Sequence, residues 1–427
     1  MEPLIDAVIV STLNAGTDVL QVYDCSTGTN LHSYRGTSLT PGTLSFVGPC
    51  EYMMSGQKDK PLLQAWVINQ HDPMHIRLSV PGPVSAMDVS KANPKYCILG
   101  IGEKIYIYKL LSGRLIGVTS RHYQSVTCLK FTDCGNYFIS GGEDGFVYMW
   151  SMANINDSLH KQETEQIHPK AVLGQHADKV TTISLTASGQ HSLVMSASLD
   201  QTVRIYDLRS AKLLYTLVTP SQVTALTCNL LGSQVFLGSS DGRVRIINLL
   251  PHPTPGDVQV THGGSLCHTK GVRFLTVTSS GSTLLTAGED GEVKVWSITT
   301  ASLHQPELAL QRTLHSGRGA VTNLAVVATD RQVFTAEKIC FMDTITPFSQ
   351  DTNMPENAPV VVRIRGLDNN KNDCITTNVN STTVLRLGES KNASSTDFQY
   401  NSTIRELKTS NSQLYRMAIR QVQEKYK

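Results

Sequence analysis

Three sets of residues in this sequence supply a nucleophile, a base and an orienting acid at nearly constant spacing: His122, Ser140 and Asp144; His176, Ser196 and Asp200; His268, Thr286 and Asp290. A hydroxyl beside a histidine whose other ring nitrogen faces a carboxylate is the arrangement of acyl-transfer hydrolases. Glu143 beside Asp144, echoed by Glu289 beside Asp290, raises carboxylate catalysis or metal binding as a second chemistry. The recurrence argues against both. An enzyme needs one constellation facing one pocket, whereas a repeated structural unit reproduces its internal bonds as often as it recurs. Adjacent residues on a turn also point in different directions, and a Gly after the Asp, at Gly145 and Gly291, permits a tight turn. The sets therefore read as scaffold. The chain is expected not to be an enzyme, with no catalytic, cofactor-binding or metal residue.

Two smaller stretches read the same way. GIGEK, 100–104, lacks the Gly-Lys-Ser/Thr ending of a phosphate loop and lies between strand-like runs instead of opening a helix, so it is a turn. HDPMH, 71–75, sets His71 and His75 four residues apart, but Pro73 forbids the helix that would align both rings on a metal. The 9 cysteines form no CxxC pair and no Cys/His cluster at zinc spacing, the usage expected of a reducing, intracellular compartment. MEPLIDAVIV has no basic leader, and no run approaches the about 18 apolar residues of a membrane span. Lys plus Arg total 37 against 35 for Asp plus Glu. That balance provides no basic field for nonspecific nucleic-acid binding, so any RNA contact must be local.

The elements that must position these residues also recur. Strand-like runs end at Tyr23, Trp66, Tyr108, Trp150, Tyr206, Ile247 and Trp296, at spacings of 43, 42, 42, 56, 41 and 49. Each is preceded by another Val- and Ile-rich stretch, such as NYFISGG or HSLVMSAS, with Gly, Asp or Asn turns between. A period of about 40–45 residues with several short strands per unit is the mark of a propeller of four-stranded blades. With 427 residues and 40% hydrophobic content, the chain is predicted to be all-β, a seven-bladed propeller over residues 1–341. The two long spacings hold insertions, SMANINDSLHKQETEQIHPK at 151–170 and NLLPHPTPGDVQVTHGGS at 248–265, both expected as loops. AVIVST and VLQVYD are the middle strands of the first blade and LHSYRG its outer strand. GAVTNLAVV, 319–327, is expected to supply the missing innermost strand and close the ring.

Residues 342–401 are crowded with Asn, Ser, Thr and Asp and read as a mostly flexible polar linker, with two strand-like runs, VVVRIR (360–365) and TTVLRL (382–387). Residues 402–427 lack Pro and Gly and read as an amphipathic C-terminal helix. Ile404, Leu407, Asn411, Leu414 and Ala418 form a short apolar seam with a polar centre. So short a helix is marginal alone in water, so the seam is a candidate interface for a homodimer or a partner helix, with its own propeller as the plainer alternative.

The blade residues are similar to those of WD-repeat proteins. In that family a His before the innermost strand, a Ser or Thr on the second, an Asp in the next turn and a Trp on the third form a hydrogen-bonded chain. The resemblance assigns His122, Ser140, Asp144 and Trp150 to one structural tetrad and His268, Thr286, Asp290 and Trp296 to another. A third, His176, Ser196, Asp200 and Tyr206, has Tyr in place of Trp. The unit ending at Ile247 departs, with Leu237 at the Ser/Thr place and no matching His, and the first three units lack the tetrad, Gly102 replacing the Asp in the third. YDLR, 206–209, resembles the Trp-Asp-x-Arg box by which some WD-repeat proteins dock onto cullin-type ubiquitin ligases, with Asp207 and Arg209 matching and Tyr206 departing. A substrate receptor of such a ligase is the alternative function; an Arg in a turn after a strand needs no partner.

LHSYRGTSL, PGPVSAMDVS, LLSGRLIGVTSRHYQSVTCLKFT, FISGGEDGFVYMWSM, SASLDQTVRIYDL and GAVTNLAV resemble, in order, the WD-repeat subunits of the rixosome, most densely over 81–150. The resemblance implies a noncatalytic scaffold of the nucleus, nucleolus and nucleoplasm, with the cytoplasm as a further location. Its work would be maturation of the large ribosomal subunit, including removal of the second internal transcribed spacer from precursor rRNA, and in some organisms heterochromatin silencing. The implied partners are helical-repeat subunits of the rixosome, and through the complex the midasin ATPase and the pre-ribosome. No cofactor is implied.

Overall fold

Val, Ile, Thr and aromatic residues suit a pleated, half-buried surface, and each run ending in one of the seven marker residues forms a strand in the computed structural model. The structure describes residues 4–334 except 14–17, 49–51, 77, 93–94, 161–166, 187–191, 231, 250–255, 260–263, 303–304 and 316–318. Beyond residue 334 it describes Phe348, Val360–Val362 and Ile375–Thr377. The chain divides into two units, 1–375 and 376–427, and all the blades belong to the first.

Seven sheets of four or more antiparallel strands form the blades. Blade 4 is representative: Val126–Phe131 is innermost, followed outward by Tyr137–Gly142, Phe146–Ser151 and Ala171–Gln175. Blade 1 takes its innermost strand from the far end of the ring. Val321–Thr329 pairs with Ile5–Thr12, from Ile5 opposite Thr329 to Thr12 opposite Val321, as the sequence predicts.

The core is divided among the junctions between blades. At the junction of blades 3 and 4, Ile98, Ile105 and Ile107 pack against Phe138, Tyr148 and Trp150, all buried. At the ring closure, Val8 and Val10 of blade 1 meet Leu285, Val293 and Val295 of blade 7. Each sheet is thus apolar on both faces, and a blade by itself would leave both exposed. The ring is stable only as a set.

Both insertions depart from the loop expectation. Met152–His160 is an α-helix whose Met152 and Ile155 are buried against blade 3. Met152, Ile155 and Leu159 keep helical spacing, but over nine residues the signal is too short to register, and the neighbouring blade supplies the packing that the sequence alone does not. Gly256–Gln259 is a strand that pairs in parallel with Lys212–Val218, giving blade 5 a fifth strand. At four residues beside prolines it reads as coil unless its partner is known.

Phe348, inside the stretch expected as linker, is buried and stacks on Tyr108 at 4.4 Å between ring centroids. VVVRIR is a strand over Val360–Val362, and a second lies at Ile375–Thr377. TTVLRL and the whole helix seam, Ile404, Leu407, Asn411, Leu414 and Ala418, lie outside the described residues.

Candidate functional site

The tetrad of blade 4 joins the loop entering the innermost strand, the second strand, the next turn and the third strand. His122 Nδ1 lies 3.1 Å from both carboxylate oxygens of Asp144, and Nε2 lies 2.8 Å from Ser140 Oγ. Trp150 Nε1 donates to the same oxygen at 2.9 Å. Nδ1–H therefore donates to the carboxylate, Ser140 donates to Nε2, and Ser140 accepts from the indole. Asp144 also accepts from the backbone N–H of Tyr123 at 2.9 Å and of Phe146 at 3.1 Å. Two glycines make room. A Cβ on Gly142 would stand 2.6 Å from His122 Nδ1, and Gly145, at φ +78°, would press one into the carbonyl of His176 in the next blade.

These distances suit a hydrolytic triad, but the surroundings do not. Ser140 is 0% exposed and His122 3%, and the Ser140 oxygen is already engaged by Trp150. No acyl group can reach it. Burial pushes the Asp144 carboxyl up, but the bonds from His122, Tyr123 and Phe146 outweigh it and hold the group below the usual carboxylate range.

Blade 7 repeats the arrangement. His268 Nε2 lies 2.7 Å from Thr286 Oγ1, Nδ1 lies 3.0 Å from Asp290 Oδ2, and Trp296 Nε1 donates to Thr286 at 3.0 Å. Burial lowers the affinity of His268 for a proton, against the pull of Asp290. In blade 5, His176 Nε2 lies 2.8 Å from Ser196 Oγ and Nδ1 lies 3.1 Å from Asp200 Oδ2. Here the fourth bond is missing. Tyr206 Oη is buried without a hydrogen-bond partner, although Ser196 and Arg204 face it and partly offset the rise in its pKa that burial causes.

Blade 6 has a fastening that the sequence reading missed. Arg245, 5% exposed, reaches Ser239 Oγ at 2.5 Å and Asp241 Oδ2 at 3.1 Å, taking the place of the absent His. The signal was its register. Arg245 follows Asp241 by four residues, as Tyr148 follows Asp144, and Tyr148 packs edge-on against His122 at 4.8 Å.

A second set of bonds, also missed, ties blade to blade. Ser85 Oγ lies 3.1 Å from Gly100 O in its own blade and 2.6 Å from Val126 O in the next. Thr127 bridges Gly141 O and Val180 O at 3.1 and 2.6 Å, and Thr181 bridges Ala197 O and Val223 O at 3.1 and 2.9 Å. Thr224 bridges Gly238 O and Val272 O. These hydroxyls form a collar through blades 3 to 7. Its sequence mark is Val followed by Ser or Thr: Val84-Ser85, Val126-Thr127, Val180-Thr181 and Val223-Thr224; Val321-Thr322 repeats the pair, but Thr322 Oγ1 bonds Ser11 Oγ, at 2.6 Å. Blade 7 has Val272-Arg273 instead, and Arg273 pairs only loosely with Glu289, at 3.8 Å.

The remaining sequence candidates are not assembled into a site. Glu143 pairs with Lys179 at 2.6 Å across a blade junction. Asp207 of YDLR accepts from Ser210 Oγ at 2.6 Å and from the N–H of Ser210 and Arg209 within its own turn. Asp24 does the same for Ser26 and Thr27 after Tyr23, so the Tyr-Asp pair is a turn device used twice. His71 stacks on His32 at 4.1 Å and donates through Nδ1 to Ser33 O at 2.7 Å, and His75 is exposed. Among the described residues no group of three His, Cys, Asp or Glu could hold a metal. Burial pushes the Cys128 and Cys267 thiols up to about 12, so neither is a thiolate at neutral pH.

Comparison with known proteins agrees with the fold. Residues 64–248 match the family described as Nucleolar protein 10-like, N-terminal domain, and residues 261–297 match the WD domain, G-beta repeat. The chain is 30% identical over 311 residues to WD repeat-containing protein 18 of Mus musculus, covering 72% of this chain and 69% of that protein. With the Rattus norvegicus protein of the same name it shares 32% over 282 residues, 65% of this chain and just under two thirds, 64%, of the relative. It is 29% identical over 277 residues to Pre-rRNA-processing protein IPI3 of Meyerozyma guilliermondii, 57% of this chain and 61% of that one. Seven blades, tetrads fastened at repeat spacing and identity sustained over two thirds of the mouse relative place the chain in the WD-repeat family of WD repeat-containing protein 18.

Proposed function

We propose that this protein is a noncatalytic scaffold subunit of a nuclear and nucleolar complex for large ribosomal subunit biogenesis. It acts in precursor rRNA processing, including removal of the second internal transcribed spacer. The observation that carries this reading is the closure of each Ser/His/Asp or Thr/His/Asp set inside its own blade. Ser140, Ser196 and Thr286 are all 0% exposed, so the molecule offers surfaces and no reachable nucleophile among them. The process is supported by similarity to proteins named for pre-rRNA processing, IPI3 among them. The partners are helical-repeat subunits of the rixosome, which bring the midasin ATPase and the pre-ribosome, and the segment 402–427 serves as a homodimer or partner contact. Heterochromatin silencing is a second use of the same assembly.

The test is affinity purification of the tagged chain from nuclear extract, with hybridisation for spacer-containing precursors after its depletion. Recovery of pre-ribosomal proteins and accumulation of precursors that retain the spacer are expected. Recovery of a cullin adaptor without pre-ribosomal proteins, with spacer removal unaffected, overturns the reading in favour of the YDLR alternative. The structure gives that alternative no support, because Asp207 is held within its own turn.

A further inference from the structure

Blades 4 to 7 are each fastened from within, by a tetrad or by Arg245. Blade 3, built from Ala86–Val89, Tyr96–Ile101, Lys104–Lys109 and Arg114–Thr119, lacks both the hydroxyl and the carboxylate of that device. Leu99 faces Tyr106 there as Ser140 faces Tyr148 in blade 4, so an apolar side chain stands at the hydroxyl's place, and Gly102 stands at the Asp's. Tyr108, in the position of Trp150, therefore has no tetrad hydroxyl to anchor it.

Blade 2 gives this flank of blade 3 little cover. Its outer strand is two residues long, Leu78–Ser79, against six in Arg114–Thr119. Leu78 and Val80 pack with Tyr108, Leu110 and Leu115 across the junction, and the ring of Phe348 completes the cluster. Phe348 lies 4.4 Å from the Tyr108 ring, with 9° between the planes, so it covers a ring face that blade 2 does not. It is 8% exposed and leaves Tyr108 only 1% exposed.

The chain reaches this place from the neighbouring junction. Phe334, just past the closing strand Val321–Thr329, is buried between blades 1 and 2 against Tyr34, Trp66 and Ile68. Residues 335–347 join the two rings. At about 3.3–3.6 Å per extended residue that stretch can cross from one junction to the next, since packed sheets stand of the order of 10 Å apart. Successive junctions thus receive successive aromatic residues of one tail.

We propose that the outer part of the junction between blades 2 and 3 is a docking socket for the chain's own tail, that Phe348 is the residue it receives, and that this strap does for blade 3 what the tetrad does for blades 4, 5 and 7. In those blades the marker aromatic is held from inside, by a hydroxyl or by packing around one. In blade 3 it is held from outside, by a ring that the tail lays on Tyr108. The propeller is then complete only with residue 348 in place, and the polar linker begins after it. The inference stands whether or not the scaffold reading does.

Two measurements on the full chain test it. In hydroxyl-radical footprinting of the wild type, Phe348 should be protected relative to the denatured chain, and equally so on dilution, because the strap is intramolecular. Phe348→Ala should speed amide exchange in Arg114–Thr119 by about tenfold or more, while Lys212–Val218 of blade 5 keeps its rate. Full reactivity of Phe348 in the wild type overturns the proposal, and that result requires no variant to fold. Protection that is lost on dilution assigns the socket to the tail of a second copy and overturns it too. So does unchanged exchange in Phe348→Ala, or equal acceleration in blades 3 and 5, which would mark a general loss of stability and no special tie to blade 3.

Discussion

Ser140 accepts from Trp150 and donates to His122, which donates to Asp144, so the tetrad is an unbroken chain of hydrogen bonds and every member has a partner. Blade 5 lacks the last bond, which gives a sharp comparison. Trp150→Phe leaves Ser140 with an unmet acceptor and opens a void, for an expected loss of about 2–3 kcal/mol. Tyr206→Phe removes a hydroxyl that has no partner and should change stability by less than about 1 kcal/mol; denaturant unfolding of the two variants checks the contrast. Titration acts on the same groups. Burial, and then the neighbouring His71, push His32 down to about 4, and burial lowers His268. Both favour the neutral form in the fold, so their contribution is present above the unfolded value of about 6.5 and is lost as pH falls, for His32 towards about 4. Asp144, Asp200, Asp241 and Asp290 are also held below their ordinary values despite burial, by bonds from His122, His176, Arg245 and His268 among others. Their contribution is present above about 3.9 and is lost as pH falls below it. The melting temperature should therefore be flat above about pH 7, decline from about 6.5 and fall more steeply below about 4, and His32→Phe should shrink the upper limb.

At the scale of elements, the sequence was legible where a side chain's role repeats and opaque where it does not. His122, Ser140 and Asp144 could be grouped because His268, Thr286 and Asp290 restate their spacing. Arg245 was not grouped with them, since it stands on a third strand whereas the repeated His lies in the loop before the innermost strand. Met152–His160 and Gly256–Gln259 escaped for another reason: each is ordered by a neighbouring blade and carries too little periodicity of its own. The hydroxyl collar was written in the sequence as Val-Ser or Val-Thr pairs, but a hydroxyl in a strand has no signature until the next blade's carbonyl is placed. Thr181→Val keeps the volume and removes the proton shared by Ala197 O and Val223 O, so it should cost about 1–2 kcal/mol. Arg273→Thr completes the collar at the closing junction and should raise stability by about 0.5–1 kcal/mol. Melting of the two variants beside the wild type tests whether the collar is a real stabilising device.

At the scale of the molecule, every hydrophobic cluster lies between two blades, and the ring is closed by pairing of Val321–Thr329 with Ile5–Thr12, so the propeller is expected to unfold cooperatively. The segment 402–427 carries a separate expectation. A chain ending at residue 400 should keep the propeller's melting temperature and lose self-association or partner recovery in sedimentation and affinity purification; a shortened chain with unchanged assembly removes the proposed role of Ile404, Leu407, Asn411, Leu414 and Ala418. The central claim is that the buried Ser/His/Asp sets fasten a scaffold and perform no chemistry. Ser140→Ala tests it most directly, with melting and spacer removal from precursor rRNA measured on the same variant in cells held well below its melting temperature. The account predicts a lower melting temperature with spacer removal intact. A wild-type melting temperature with spacer removal abolished would contradict it.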